Sequence, residues 1–353
     1  MKRRRFLATA GALGTAGLAG CSSALDWRSS YAPPVVEDRP RAVYYPSHVE
    51  GMDVIGTKTA GGYGCALFTT YPHRFWLVTG SHTQRVSIES EDSMHLMVAV
   101  WDTETGIVVP DASPAVRVTV GDRHVTTVNP WSMLSQPMGL HFGANVTLPA
   151  AGEYAAQVDL SPPSIARHGS MPRGPASPVT CTFPLSYSRA ALRELPIRRF
   201  PEKKGTRGAV DPMPMPKVPD SQVPEPAALP GTPLGTGTSG DAAVAVRAIP
   251  DARPFGGTAE ETYLAVSPRT PYNRYQLPFA SLSASVERAG RTIADERLAA
   301  GVHPDLSVHY GTTLEALDPG DRVTVEVDTP PQMSRHEGYE TAFLSMDEIV
   351  LER

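Results

Sequence analysis

Pro130 to Asn145 reads PWSMLSQPMGLHFGAN and gathers two thioether sulfurs (Met133, Met138), an imidazole (His141) and two loop-setting glycines (Gly139, Gly143). Soft sulfur and imidazole together suit copper and other late first-row ions, so the residue types are those of a metal-ligand loop. Methionines beside aromatics also serve as plain core filler, and the stretch taken alone admits both readings. Its glycines and prolines make it too irregular, as a sequence, for a helix or a buried strand. Upstream, Met94 to Trp101 (MHLMVAVW) alternates, with Leu96, Val98 and Val100 on one face and His95, Met97, Ala99 and Trp101 on the other. The first face suits a core and the second presents an imidazole with a thioether, as a ligand strand would. A half-exposed edge strand carrying incidental His and Met is the competing reading. In Tyr71-Pro72-His73-Arg74-Phe75-Trp76, Pro72 interrupts a strand and leaves His73 at a bend, from which an imidazole can reach a loop elsewhere. His48, His82, His124 and His168 lie in polar surroundings and read as solvated.

These side chains need elements to hold them, and the local signals are for strands. Ala115 to Val120 alternates with Val116, Val118 and Val120 on one face, and Glu153 to Leu160 alternates with Tyr154, Ala156, Val158 and Leu160 facing in. Short alternating runs spaced by Gly, Pro, Asp and Asn clusters indicate an all-β chain of immunoglobulin-like β-sandwiches. Glu287 to Ala300 is the one tempting helical stretch, with strand or loop left open. From Pro201 to Gly240 the chain is proline-rich without hydrophobic periodicity, which reads as a semi-extended linker. The expected layout is a signal over residues 1–21, a tether over 22–40, a metal-binding sandwich over 41–200, the linker over 201–240 and a second sandwich over 241–353. Met213 and Met215 fall in the linker, where a metal-scavenging role ranks below plain solvation.

The two halves repeat at an offset of 168 residues. His141-Phe142-Gly143 falls on His309-Tyr310-Gly311, Gly152 on Gly320, Pro162-Pro163 on Pro330-Pro331, and His95-Leu96-Met97-Val98 on Tyr263-Leu264-Ala265-Val266. The inward phase slips between Tyr154, Ala156, Val158 and Val323, Val325, Val327, which one extra residue in a β-bulge would explain. The second copy has Tyr263 for His95, Gly301 for Met133 and Leu306 for Met138. It therefore reads as a degenerate, structural or partner-binding sandwich, with His309 packed or hydrogen-bonded rather than ligating.

The N-terminus, MKRRRFLATAGALGTAGLAGC, has a basic head, a mildly apolar run and a small-residue end, the layout of an export signal. Arg3-Arg4-Arg5-Phe6-Leu7 resembles the twin-arginine motif and Leu18-Ala19-Gly20-Cys21 a lipobox, whose cysteine would carry lipid and hold the protein at the outer face of the cytoplasmic membrane. Removal of that segment leaves 28 basic against 37 acidic residues, a formal charge of −9. That balance argues against nucleic acid, since phosphate contacts want a basic face, and favours solubility or attraction of cations.

His95-Leu96-Met97-Val98, the Asp102-to-Gly106 turn, His141-Phe142-Gly143-Ala144-Asn145-Val146 and the Gly152-Glu153-Tyr154 strand ending in Pro162-Pro163 resemble the periplasmic iron-transport antigen family. The likeness covers about residues 62–164, with a fainter echo over 258–332, and the tethered two-domain layout is similar to haloarchaeal lipoproteins distantly related to that family. The resemblance implies immunoglobulin-like sandwiches, commonly dimeric, that bind copper and ferrous iron through His, Met and Glu and work beside a membrane iron permease. Carried over residue by residue, it implies His141 as the hallmark ligand, with Met133 or Met138 as the upstream methionine. The family's early His-x-Glu pair finds its nearest match at His73, where Phe75 replaces the carboxylate. That loss would favour Cu(I) or Cu(II) over iron.

Other classes fit less well. A blue-copper carrier needs a cysteine with His and Met close behind, and neither Cys65 nor Cys181 is so placed. Those two could form a disulfide or remain buried thiols. The chain has no G-x-S-x-G, no H-E-x-x-H and no phosphate loop, so no enzyme chemistry is expected. The rival is a structural or adhesion sandwich of the envelope. The expectation is a surface lipoprotein that binds copper or ferrous iron through His73, His95, His141 and Met133 or Met138, supplies a membrane iron-uptake system, and loses metal as pH falls through about 6.5.

Overall fold

A computed structural model describes residues 32–352. The export segment, Cys21 and the first part of the tether lie outside the described residues. No helix among the described residues is long and apolar enough to cross a membrane. The described residues are nearly all β, as their alternation requires, and among them one short α-helix, Arg189–Glu194, is capped by the Ser188 hydroxyl.

The first sandwich packs an eight-stranded sheet on a four-stranded one. The smaller sheet runs Val179–Tyr187, Gly152–Leu160, Ala115–Val120 and Arg123–Val128. Tyr154, Ala156, Val158 and Leu160 face the core with Val116 and Val118, as their spacing predicts. Val120, at the strand's end beyond a register irregularity whose unpaired residue is Val125 of the partner strand, is exposed. In the larger sheet Met94–Asp102 is central, between Tyr63–Thr70 and Gly139–Val146, and all nine of its residues are buried. Leu96, Val98 and Val100 face the sandwich core. Met97, Ala99 and Trp101 belong to a second apolar cluster that includes Tyr275, Met333, Tyr339 and Phe343 of the C-terminal half. Half-exposed edge character is thereby excluded for this strand.

The Pro130–Asn145 stretch is a buried hairpin, Trp131–Ser135 with Gly139–Val146, contrary to the irregular loop its composition suggested. Gly139, at φ +70, takes the left-handed corner, and an added Cβ there would lie 2.1 Å from Ser221 Oγ. The stretch Glu287–Ala300 likewise forms strand, in the hairpin of Ser281–Arg288 and Arg291–His303. Ala289 and Gly290 both take positive φ at its turn and set the hairpin.

The repeat keeps its register between the strands that carry His95 and His141 and their counterparts. Val146 pairs with Met94 in the first half and Leu314 with Thr262 in the second, each partner displaced by 168. The phase slip is resolved by a β-bulge: Ser281 pairs with Thr329 and Leu282 with Val327, so Asp328 is the extra residue. The nine-stranded sheet of the second half curls around its own core of Leu264, Val266, Leu282, Tyr310 and Val325.

The halves also exchange strands reciprocally. Ser334–Arg335 inserts into the eight-stranded sheet, parallel to Met133–Leu134, while Ala166–Arg167 pairs in parallel with Gly301–Val302 of the second half. These two events are again 168 residues apart. The proline-rich stretch is strapped to this body: the Val210 N–H donates to Gln136 Oε1, the Met213 N–H donates to the Pro137 carbonyl, and its last residues form the strand Thr232–Ser239.

Candidate metal centre

Four imidazoles converge on the outer face of the eight-stranded sheet. His95 comes from its central strand, His141 from the neighbouring strand, His73 from the bend before Phe75–Thr79, and His336 from the residue after the exchanged Ser334–Arg335. Ring centroids are 4.7 Å apart for His73 and His95, 5.2 Å for His73 and His336, 5.8 Å for His95 and His336, and 5.3 Å for His141 and His336. One ligand atom from each of His95, His141 and His336 falls within 4.8 Å of the others.

Hydrogen bonds aim the rings. The Asn145 amide donates to the His73 carbonyl at 2.8 Å, and its oxygen accepts the His73 N–H at 3.0 Å, which fixes the amide orientation. That same oxygen is 2.8 Å from His95 Nδ1, so Nδ1 carries the proton and His95 Nε2 keeps its lone pair. His141 Nδ1 donates to the Gly139 carbonyl at 3.0 Å, which leaves its Nε2 in the same state. The Nε2 atoms of His95, His141 and His336 are buried without a hydrogen-bond partner among the described residues. Three orphaned ring nitrogens in one buried cluster, two of them acceptors, are unfavourable unless a cation occupies the space between them. Neutral imidazoles with the proton held on the far nitrogen are the form that ligates a metal.

Gly143 keeps that space open. A Cβ at this position would stand 2.5 Å from His95 Nε2 and 2.9 Å from Met133 Sδ, so nitrogen and sulfur border the same small volume. Met133 thus joins the cluster, whereas Met138 belongs to the apolar cluster with Leu140 and Tyr275.

A carboxylate is present after all. Glu50 Oε1 lies 2.8 Å from His48 Nε2 and 3.4 Å from His73 Nδ1. An H-x-E spacing thus also stands at His48-Val49-Glu50, on the short strand His48–Glu50, and its carboxylate touches the His73 ring. Burial opposes the Glu50 charge, but His73 and His48 together outweigh it and hold the carboxyl well below its usual range. His48 is buried and bonded, not solvated.

The expected release of metal near pH 6.5 also needs revision. Burial lowers His95 and His336 well below the ordinary imidazole value, with nearby His73 adding to it, and brings His141 down to about 4. These ligand candidates stay neutral well into the acid range.

Sequence reasoning missed His336 and Glu50. His336 lies in Ser334-Arg335-His336-Glu337, outside every segment that the resemblance marks as ligating, and its signal is the 168-residue offset from His168. Glu50 carried the H-x-E spacing in plain view. At the equivalent place in the second half, Tyr263 Oη lies 3.1 Å from His309 Nε2, and the His168 ring is 5.8 Å from that of His309. There the tyrosine satisfies the nitrogen that is orphaned in the first half. Cys65 and Cys181 are both buried free thiols.

No curated protein matches this sequence. The model of a family described as a domain of unknown function, DUF7350, matches residues 227–352. Among solved structures the chain is similar to a copper-bound variant of FetP from uropathogenic Escherichia coli, at 16% identity over 38% of this chain and 97% of that one, with a TM-score of 0.30. It is also similar to the copper-reconstituted P19 protein from Campylobacter jejuni, at 18% identity over 39% and 97% of the two chains, TM-score 0.32. A third likeness is to FetP as isolated after periplasmic expression in E. coli, at 15% identity over 40% and 95%, TM-score 0.28.

Proposed function

We propose that this chain is an exported protein that binds one copper ion, with His95, His141 and His336 donating nitrogen and Met133 donating sulfur. The reading rests on one observation above the rest: three buried Nε2 atoms without partners, in one cluster, bordered by a thioether. A set of neutral imidazoles plus one soft sulfur favours copper over magnesium or calcium, which want oxygen. Glu50 and His73 stand just outside that set and add negative charge and a further nitrogen. Binding and transfer, without turnover, is the activity that follows. Lipid on Cys21 would keep the protein at the outer face of the cytoplasmic membrane, where a membrane iron-uptake system is the candidate recipient.

Anaerobic titration of the full chain with Cu(I), Cu(II) and Fe(II), followed by X-ray absorption, tests this. The expected result is one tightly bound copper with nitrogen and sulfur in its shell. Replacing any one of His95, His141 or His336 by Ala should cost more than the roughly 10–100-fold that removing a group orienting a ligand costs. Stoichiometric binding that survives all three substitutions would defeat the assignment.

A further inference from the structure

Met213 lies in Asp211-Pro212-Met213-Pro214, in the stretch read from sequence as a linker, where metal scavenging ranked below plain solvation. Its N–H donates to the Pro137 carbonyl at 2.8 Å, which straps this segment onto the first sandwich. The segment lines a cavity of about 200 Å³ together with Val49, Glu50, Pro196 and Arg198. Glu50 is the shared residue. Its carboxylate faces His48 and His73, the His73 ring stands 4.7 Å from His95, and the His95 Nε2 atom beyond is buried. Glu50 and His73 each keep 12% of their side-chain surface exposed, so solvent reaches the edge of the cluster at these two groups.

We infer that this cavity is the port by which a soft cation reaches the imidazole cluster, and that Met213 with Glu50 forms its outer, transient capture site for Cu(I). This rests on the copper reading above. A thioether binds a soft monovalent cation without holding a hard one, and its weak hold is compatible with release inward. Prolines on both sides restrict the backbone of Met213, so little chain entropy is lost when the sulfur is used. Asp211, Glu50 and Arg198 are the charged side chains of the cavity lining and leave it with a net negative charge, which raises the local cation concentration. Glu50 then passes the ion to His73 and on to the cluster. Ligands are exchanged one at a time, with no change in oxidation state. Met215, two residues on, packs against the apolar cluster and is the internal control.

The test is anaerobic stopped-flow transfer of Cu(I) from a weak chromogenic chelator to the full chain, together with equilibrium competition. Met213→Leu and Asp211→Asn should each slow loading by about tenfold, the scale of electrostatic and capture effects on association, with final affinity unchanged. Met215→Leu should load like the unaltered chain. Unaltered chain that binds copper while Met213→Leu loads at the same rate would overturn the port and leave the copper reading intact. Equal losses of rate and affinity in Met213→Leu would make Met213 a ligand of the final site and also overturn it. Failure of the unaltered chain to take up copper would sink the copper reading, and the port with it.

Discussion

The candidate centre depends on two residues that donate nothing to a metal. Gly143 leaves the volume bordered by His95 Nε2 and Met133 Sδ free, because a methyl group there would stand 2.5 Å from that nitrogen. Gly143→Ala should therefore abolish tight copper binding while circular dichroism shows the sandwich intact. Retained binding would place the ion elsewhere. Asn145 ties the His73 backbone and the His95 ring through one amide. Asn145→Ala should lower affinity by about 10–100-fold, the usual loss when an orienting partner goes, and isothermal competition would measure it. The protonation behaviour belongs at this scale as well. His95, His141 and His336 have folded values below the unfolded imidazole value of about 6.5, so the unfolded chain binds more protons between those limits and stability rises with pH there. The apo protein should lose thermal stability as pH falls below about 6.5, while copper affinity stays nearly level from pH 7 to about 5 and drops near the His141 value of about 4. A pH series of melting curves alongside competition titrations distinguishes this from exposed ligands, whose affinity would already be falling at about pH 6.5.

At the scale of elements, the exchanged segment decides whether the site is complete. Ser334–Arg335 lies between Trp131–Ser135 and Phe75–Thr79 and delivers His336 over the cluster. Arg335 is fully buried, and its guanidinium donates to the Met333, Pro331 and Ala342 carbonyls and sits 5.2 Å over the Phe343 ring. Removing it leaves three buried carbonyls short of a donor, each worth about 1–3 kcal/mol when unsatisfied. Arg335→Ala should destabilise the fold by several such increments and weaken copper binding, although Arg335 is no ligand. In the second half the reciprocal segment brings His168 to His309, but Tyr263 already occupies the nitrogen that would ligate. One copper per chain follows, and His309→Ala should leave both stoichiometry and affinity unchanged. Two equivalents of equal affinity, read by elemental analysis after gel filtration, would contradict this.

On the scale of the whole molecule, the reciprocal strands and the apolar cluster shared by both halves make one unit of Val35–Arg353. Each half completes the other, as two subunits do in an isologous dimer, but within a single chain. A cut in the exposed Glu202–Lys204 turn should therefore leave both fragments together on gel filtration and still able to bind copper. Residues 41–200 produced alone lack His336 and expose the sheet face that Tyr275, Met333 and Phe343 cover, so that fragment should bind copper far more weakly than the cut complex. Equal affinity for the isolated fragment would show that the exchange has no part in the site.

The sequence by itself determined the all-β class, the inward faces of Gly152–Leu160 and most of Ala115–Val120, the 168-residue repeat and the candidacy of His73, His95, His141 and Met133. Each of these is local: alternation sets which side chains face a core, and a fixed offset is visible wherever the copies are compared. Only the tertiary structure decided that Met94–Asp102 is covered on both faces, that Met138 is core, that Glu50 touches His73, and that His336 arrives from nearly two hundred residues away. Pairing between distant strands fixes these, and such pairing leaves no periodicity in the segment that travels: two residues of strand, Ser334–Arg335, are too short to carry a pattern. The same burial that hides the cluster from sequence reading holds its nitrogens neutral, because desolvation acts on the folded environment and not on residue type.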